Sequence, residues 1–144
     1  MVVKITITLE NALKKGGQDS NLFCQSFKEW KTGDEFGSYH FGKDSAYATP
    51  TVDGQKYALL HVHLVPVFDQ LSTWKKIWRF KGRKTSDRVL VYTKNSNGDF
   101  LLIFILSEPD AHKIARMETQ KHKAIMDGFA NVAAAFLFDG SVIA

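Results

Sequence analysis

The chain has a single cysteine, Cys24, which excludes an internal disulfide framework and a cysteine-based zinc site. Cys24 lies beside Leu22, Phe23 and Phe27 in a helix-like stretch, where it reads as a buried thiol rather than a nucleophile. Prolines number only three, and there is no Pro-rich linker, internal repeat or low-complexity tract. No apolar run reaches the length of a membrane span. The opening Met1-Val2-Val3-Lys4-Ile5-Thr6-Ile7 alternates too regularly for a signal peptide and lacks a cleavage-site pattern, so the expectation is a cytoplasmic protein with no membrane partner.

What is present is enough for a core. With 144 residues, 44% hydrophobic and 12% aromatic, the expectation is one domain spanning residues 1–144. Lysine and arginine total 19 against 15 acidic residues, a net charge of +4. That excess suits a polyanionic partner, but where the charges sit matters more than their sum.

Val3, Ile5, Ile7 and Leu9 alternate with polar residues as in a half-buried strand. Gly16-Gly17 breaks the chain, and Leu22, Phe23, Ser26, Phe27 and Trp30 then recur at helical spacing until Gly33. This strand and helix make up an N-terminal part, residues 1–40. Asp34 to Gly54 reads as irregular or as short turns. Lys56 to Leu64 is strand-like, with Tyr57, Leu59, His61 and His63 on one face, Leu60, Val62 and Leu64 on the other, and Pro66 ending it. Asp69 to Phe80 fits a short helix or a loop.

Arg88 to Thr93 and Phe100 to Leu106 are the clearest strands, and Asn97-Gly98 between them is a hairpin signal. The second is apolar at nearly every position, so both its faces should be covered, as in an interior strand. Ser107 offers an N-cap to a long helix, with Pro109 and Asp110 in its first turn. Ile125, Phe129, Val132 and Phe136 form its apolar stripe, His112, Arg116, Gln120 and Lys123 a polar one. Residues 137–144 are an apolar tail. The order strand, helix, strand, strand, strand, helix predicts an α+β domain, a mainly antiparallel sheet with helices packed on it.

Four features carry chemistry. Lys75, Lys76, Arg79, Lys81, Arg83, Lys84 and Arg88 interleave with Trp74, Trp78 and Phe80, and Asp87 is the only acid among them. Cations release counterions on meeting phosphate and aromatic faces stack unpaired bases, although the tryptophans also suit a loop anchored to the core. His61-Val62-His63 puts two imidazoles side by side on a strand, a spacing that serves acid–base work or a metal. No acidic cluster accompanies the pair, which counts against the metal. Asp87-Arg88 precedes a strand, where an arginine clamps a phosphate or closes a salt bridge. His112, Arg116, His122 and Lys123 form the polar helix stripe, which by itself is a solvated face.

Taken in order, Phe41-Gly42-Lys43-Asp44, Tyr47, His61-Val62-His63-Leu64, Ser86-Asp87-Arg88-Val89-Leu90-Val91-Tyr92, Leu101-Leu102-Ile103 to Leu106, Glu108-Pro109-Asp110-Ala111-His112-Lys113-Ile114-Ala115-Arg116 and His122-Lys123 resemble the YafO toxins of the broad RelE/ParE-like toxin superfamily. The likeness runs from about Phe41 to Phe129. It implies a compact toxin fold encoded beside an antitoxin, and an endoribonuclease that cuts mRNA in the ribosomal A site. His61-x-His63-Leu64 takes the place of the basic pair of RelE-type toxins, and histidine for lysine moves the site toward acid–base chemistry at neutral pH.

The expected reaction is metal-independent and cofactor-free transesterification by the ribose 2′-OH. His61 or His63 would be the base and His112 or His122 the acid. Arg88, helped by Arg83 or Lys84, would stabilise the transition state, and Asp87 would orient a histidine or arginine, or receive a proton. Lys75, Lys76, Arg79, Lys81, Tyr92, Arg116 and Lys123 complete the expected RNA surface. The rival readings are a toxin of the same fold that blocks the ribosome or DNA gyrase without cutting, and a His-ligated metal hydrolase.

Overall fold

The computed structural model describes residues 1–67 and 71–144. Its elements run β1 (Val3–Ile5), α1 (Ile7–Lys15), α2 (Ser20–Thr32), β2 (Phe41–Ala46), β3 (Leu60–Leu64), α3 (Leu71–Arg79), β4 (Val89–Lys94), β5 (Phe100–Leu106), α4 (Ala111–Ala115) and α5 (Gln120–Asp139). The strands form one sheet in the order β1-β5-β4-β3-β2. β1 lies parallel to β5, and every other neighbouring pair is antiparallel. The α+β architecture expected from the sequence is the one found.

Strand alternation sorts the core into two layers. Leu60, Val62, Leu64, Leu90, Tyr92, Phe100 and Leu102 face α1 and α2, against Leu9, Leu13, Phe27 and Trp30. Leu59, Val89, Val91, Leu101 and Ile103 face α5, against Met126, Ala130, Ala133 and Phe136. β5 is therefore covered on both faces and flanked by β1 and β4, as its unbroken apolar run requires. Gly98 takes φ +81° in the β4–β5 turn, a backbone conformation that glycine adopts without steric cost.

Several local expectations fail for identifiable reasons. The alternating start is strand only to Ile5, because Thr6 is an N-cap. Its buried hydroxyl accepts the Leu9 N–H at 3.1 Å and donates to the Ile103 carbonyl at 2.7 Å, so the chain turns into α1 and leaves Ile7 exposed. The long helix after Ser107 is two helices. Arg116 closes α4, Met117 takes φ +53°, and Thr119 caps α5 by accepting the His122 N–H at 3.1 Å. His112 and Lys123 consequently lie on different helices. The strand before Pro66 begins at Leu60 rather than Lys56, with Tyr57 exposed at φ +64°.

The stretch expected to be irregular contains β2, the edge strand of the sheet. Residues 71–79 settle as helix α3, while Asp69 and Gln70 lie outside the described residues. At the C-terminal end, the Ala144 carbonyl accepts the Ile7 N–H at 2.6 Å, and Val142 and Ala144 pack on the α5 layer.

β2 carries one irregularity that shapes the site. Its register with β3 passes from Asp44↔Val62 to Phe41↔Leu64, so three steps on β2 span two on β3, a β-bulge at Gly42-Lys43. Gly42 is required there, since a Cβ would stand 2.2 Å from the Lys84 carbonyl oxygen and 2.8 Å from the Trp74 ring. The Lys43 N–H donates to that same carbonyl at 2.7 Å. The segment from Lys84 to Arg88 is thereby tied to the outer edge of β2 before it enters β4.

Candidate active site

His61 and His63 project from β3 on the side of the sheet that carries α5. The Tyr47 ring stacks on His61, with centroids 3.9 Å apart and planes 13° from parallel. The His61 and His63 rings are 6.0 Å apart, and the next imidazole, His112 at the start of α4, is 5.7 Å from His63. Three imidazoles thus form a row that strand spacing accounts for only in its first two members.

The segment linking α3 to β4 holds this row in place. Ser86 Oγ donates to the Leu64 carbonyl at 2.6 Å, pinning the segment to the end of β3. His63 Nδ1 lies 3.0 Å from the Ser86 amide and 2.6 Å from the Ser86 carbonyl. The main chain occupies Nδ1 in either tautomer, and Nε2 is the nitrogen left for chemistry. One residue further, Asp87 Oδ1 accepts the His112 backbone N–H at 2.8 Å and sits 2.6 Å from His112 Nδ1. A carboxylate at Nδ1 favours the tautomer with the proton there and the lone pair on Nε2. The His112 side chain is 55% exposed.

Burial acts on both imidazoles of β3. Burial pushes the His61 pKa down to about 4, and the neighbouring His63 adds to the effect. Burial also lowers the His63 pKa, against the opposing backbone bond to Ser86. His61 is therefore neutral near pH 7.

Acidification should consequently cost stability. The His61 pKa is 6.5 in an unfolded chain and about 4 when folded, so the unfolded chain takes up the proton first as pH falls. Its contribution is whole above about pH 6.5 and is lost toward pH 4, to a maximum of about 3 kcal/mol. Urea unfolding midpoints at pH 7 and pH 4.5 measure the loss. His61→Phe, which keeps an aromatic ring against Tyr47, should flatten the dependence; an unaltered pH slope in that variant would assign the loss to other groups.

Arg88 stands apart from the row. It follows the facing of Leu90 and Tyr92, lining clefts with Leu22 and Phe23 of α2 and Leu9 and Leu13 of α1. Its guanidinium donates to the Val65 carbonyl at 3.1 Å, and Glu108 lies in its field. The expected convergence of Arg88 with the imidazoles is thus not found, because side chains alternate across the sheet and Arg88 is out of phase with His63. Tyr92 is out of phase too. It is buried against Phe27 and donates to Asp44 Oδ1 at 2.5 Å.

The remaining expected residues are dispersed. His122 lies at the start of α5, and no contact among the described residues joins it to the other imidazoles. Arg116 pairs with Glu118 at 3.1 Å and Lys123 with Asp127 at 2.6 Å. Lys75, Lys76, Arg79, Lys81 and Arg83 are exposed along α3 and the turn after it. Trp74 is buried and its indole N–H donates to the Tyr39 carbonyl at 2.7 Å, while that of Trp78 donates to the Gly37 carbonyl at 3.0 Å. Both tryptophans anchor α3 to the segment before β2, with Trp78 still partly exposed and Phe80 largely so. Lys84 is buried, its ammonium 5.6 Å from the Trp74 ring centroid, and desolvation lowers its pKa.

Among the described residues no three His, Cys, Asp or Glu side chains stand close enough together to hold a metal ion. Tyr47, Ser86 and Lys43 are members of the site that the chemistry of isolated motifs does not single out. Each belongs to an element adjoining the histidines, which only the sheet order and the crossing segment reveal.

The fold and the site together define a small α+β domain with a histidine–carboxylate cluster on one sheet face and exposed basic side chains on a neighbouring helix. Residues 28–138, more than half of the chain, match the family described as toxin YafO of type II toxin–antitoxin systems, and the chain belongs to that family. No curated protein and no solved structure matches it. Membership of a toxin–antitoxin family implies an antitoxin partner. No helix among the described residues is long and apolar enough to cross a membrane.

Proposed function

We propose that this toxin is a ribosome-dependent endoribonuclease that cuts mRNA in the A site, without a metal, by transesterification. The observation that carries the reading is the Asp87–His112 pair beside His63 and His61. It holds a tautomerically fixed Nε2 at solvent, next to two imidazoles that burial keeps uncharged.

In the reaction the ribose 2′-OH gives its proton to a base while its oxygen bonds to the adjacent phosphorus. The bond from phosphorus to the 5′-oxygen breaks, and that oxygen takes a proton. The products are a 2′,3′-cyclic phosphate and a 5′-hydroxyl end. His112 Nε2, backed by Asp87, suits the base, because the carboxylate also stabilises the imidazolium that forms. The imidazolium so formed on His112 is the source of the proton that the 5′-oxygen takes, and His63 Nε2 is the neighbouring group that can relay it. His61, neutral and packed under Tyr47, orients rather than donates.

In this reading the ribosome aligns the scissile phosphate, which makes positioning a large share of the rate enhancement. Primer extension on mRNA in a reconstituted translation reaction tests the reading. New 5′ ends spaced at codons, absent when ribosomes are omitted, are expected. Growth arrest without such ends would replace cleavage with simple blocking of the ribosome or of DNA gyrase.

A further inference from the structure

With Arg88 on the other face of the sheet, the imidazole row needs another source of positive charge for the phosphate. We infer that Lys43, presented by the β2 bulge opposite His63, is the cation that contacts the scissile phosphate. The inference rests on the endoribonuclease reading above and extends it to a residue outside the histidine cluster.

Register is the first support. Ser45 is the direct partner of His61, and Asp44 that of Val62, so the next position along β2 faces His63. Asp44 points to the α2 side, where it bonds Tyr92 and pairs with Lys31 at 2.6 Å. Its neighbour Lys43 accordingly projects to the histidine side. A bulge at this point inserts an extra residue and re-aims its side chain, a device that recurs beside active sites.

Electrostatics agrees with that placement. The Lys43 charge acts on both His61 and His63, in each case disfavouring protonation. Lys43 is exposed, so its flexible side chain is free to meet an anion docked on the imidazoles. Its backbone is immobilised, with the N–H on the Lys84 carbonyl and Gly42 wedged against Trp74, so only the flexible side chain moves. Arg83 extends the positive strip along the same edge, its guanidinium 3.4 Å from the Asp44 carbonyl, and lines the same crevice as Lys43. Two successive phosphates of a single strand could then run along β2, the first on Lys43 and the second on Arg83.

Cations that meet a phosphorane act where charge develops, and removing one such contact typically lowers the rate by about 10²–10³. Single-turnover cleavage of ribosome-bound mRNA should therefore be compared for wild type, Lys43→Ala, Lys43→Arg and Lys28→Ala. Lys28 is exposed on α2, so its variant controls for net charge. Lys43→Ala should lower the maximal rate by about 10²–10³ with a much smaller change in half-saturating concentration. Lys43→Arg should return the rate to within about tenfold, and Lys28→Ala should stay near wild type. A Lys43→Ala rate within a few-fold of wild type overturns the inference while leaving cleavage itself intact. A loss that arginine does not restore overturns it as well, by making the role one of structure. If the wild type produces no cuts, the endoribonuclease reading fails and this assignment falls with it.

Discussion

Asp87→Asn should reduce single-turnover mRNA cleavage by about 10²–10⁴-fold while leaving the fold intact. The carboxylate favours the proton on His112 Nδ1, and an amide in its place can present an N–H toward that nitrogen, which favours the tautomer with its lone pair turned inward. His112→Ala should cause a loss of the same order. The two residues act as a unit, so the double variant should be no slower than the worse of the single ones. Stability offers little room for a trivial explanation. The pair is partly exposed, with side chains at 55% and 29% of full accessibility, and exposed ion pairs contribute about 0–1 kcal/mol. Rates within a few-fold of wild type in both single variants would remove the dyad from the mechanism.

The largest effect on stability is expected on the other face of the sheet. Phe27 is fully buried, and its ring meets those of Trp30, Phe41, Tyr92 and Phe100 edge-on at centroid distances of 5.5, 6.0, 5.2 and 5.2 Å. It joins α2 to strands β2, β4 and β5 at once. Phe27→Ala removes the ring and leaves a cavity between rigid neighbours that cannot collapse into it, a loss of about 3–5 kcal/mol. Leu22→Ala on the same helix, at a side chain 68% exposed, should shift stability by no more than about 0.5 kcal/mol. Urea denaturation midpoints with unchanged slopes measure both, and comparable losses at the two positions would contradict the assignment of Phe27 as the anchor of α2.

The consequences of the two faces differ. The α1–α2 side is packed with aromatic rings around Phe27, whereas the α5 side at the end of β3 carries the imidazoles and the crossing segment. Loss of Phe27 should lower the amount of folded toxin without altering the chemistry of what remains folded. Loss of Asp87 should do the reverse.

The β4–β5 hairpin was legible in the sequence because its signals are local. An apolar run of β-formers, a turn with glycine at positive φ and a second such run leave few other arrangements. The pairing of His61 with His63 on one face was equally legible, since a two-residue period needs no tertiary knowledge. Local signals also compete, and there the sequence misleads. Thr6 and Thr119 each end an apparently continuous pattern with one capping hydrogen bond, a few atoms that outweigh the periodicity around them.

What the tertiary structure alone decided is the company each charged group keeps. Asp87 and His112 are 25 residues apart, and His63 and Ser86 are 23 apart; no spacing rule connects them. They meet because Ser86 ties the crossing segment to the end of β3 while the turn after β5 sets α4 beside it. Arg88, adjacent to Asp87 in the chain, is carried to the opposite face by the alternation of β4, and Lys43 is brought opposite His63 by an extra residue in an edge strand. Periodicity determines which side chains share an element's face, but only the packing of those elements against one another decides which distant side chains share a site.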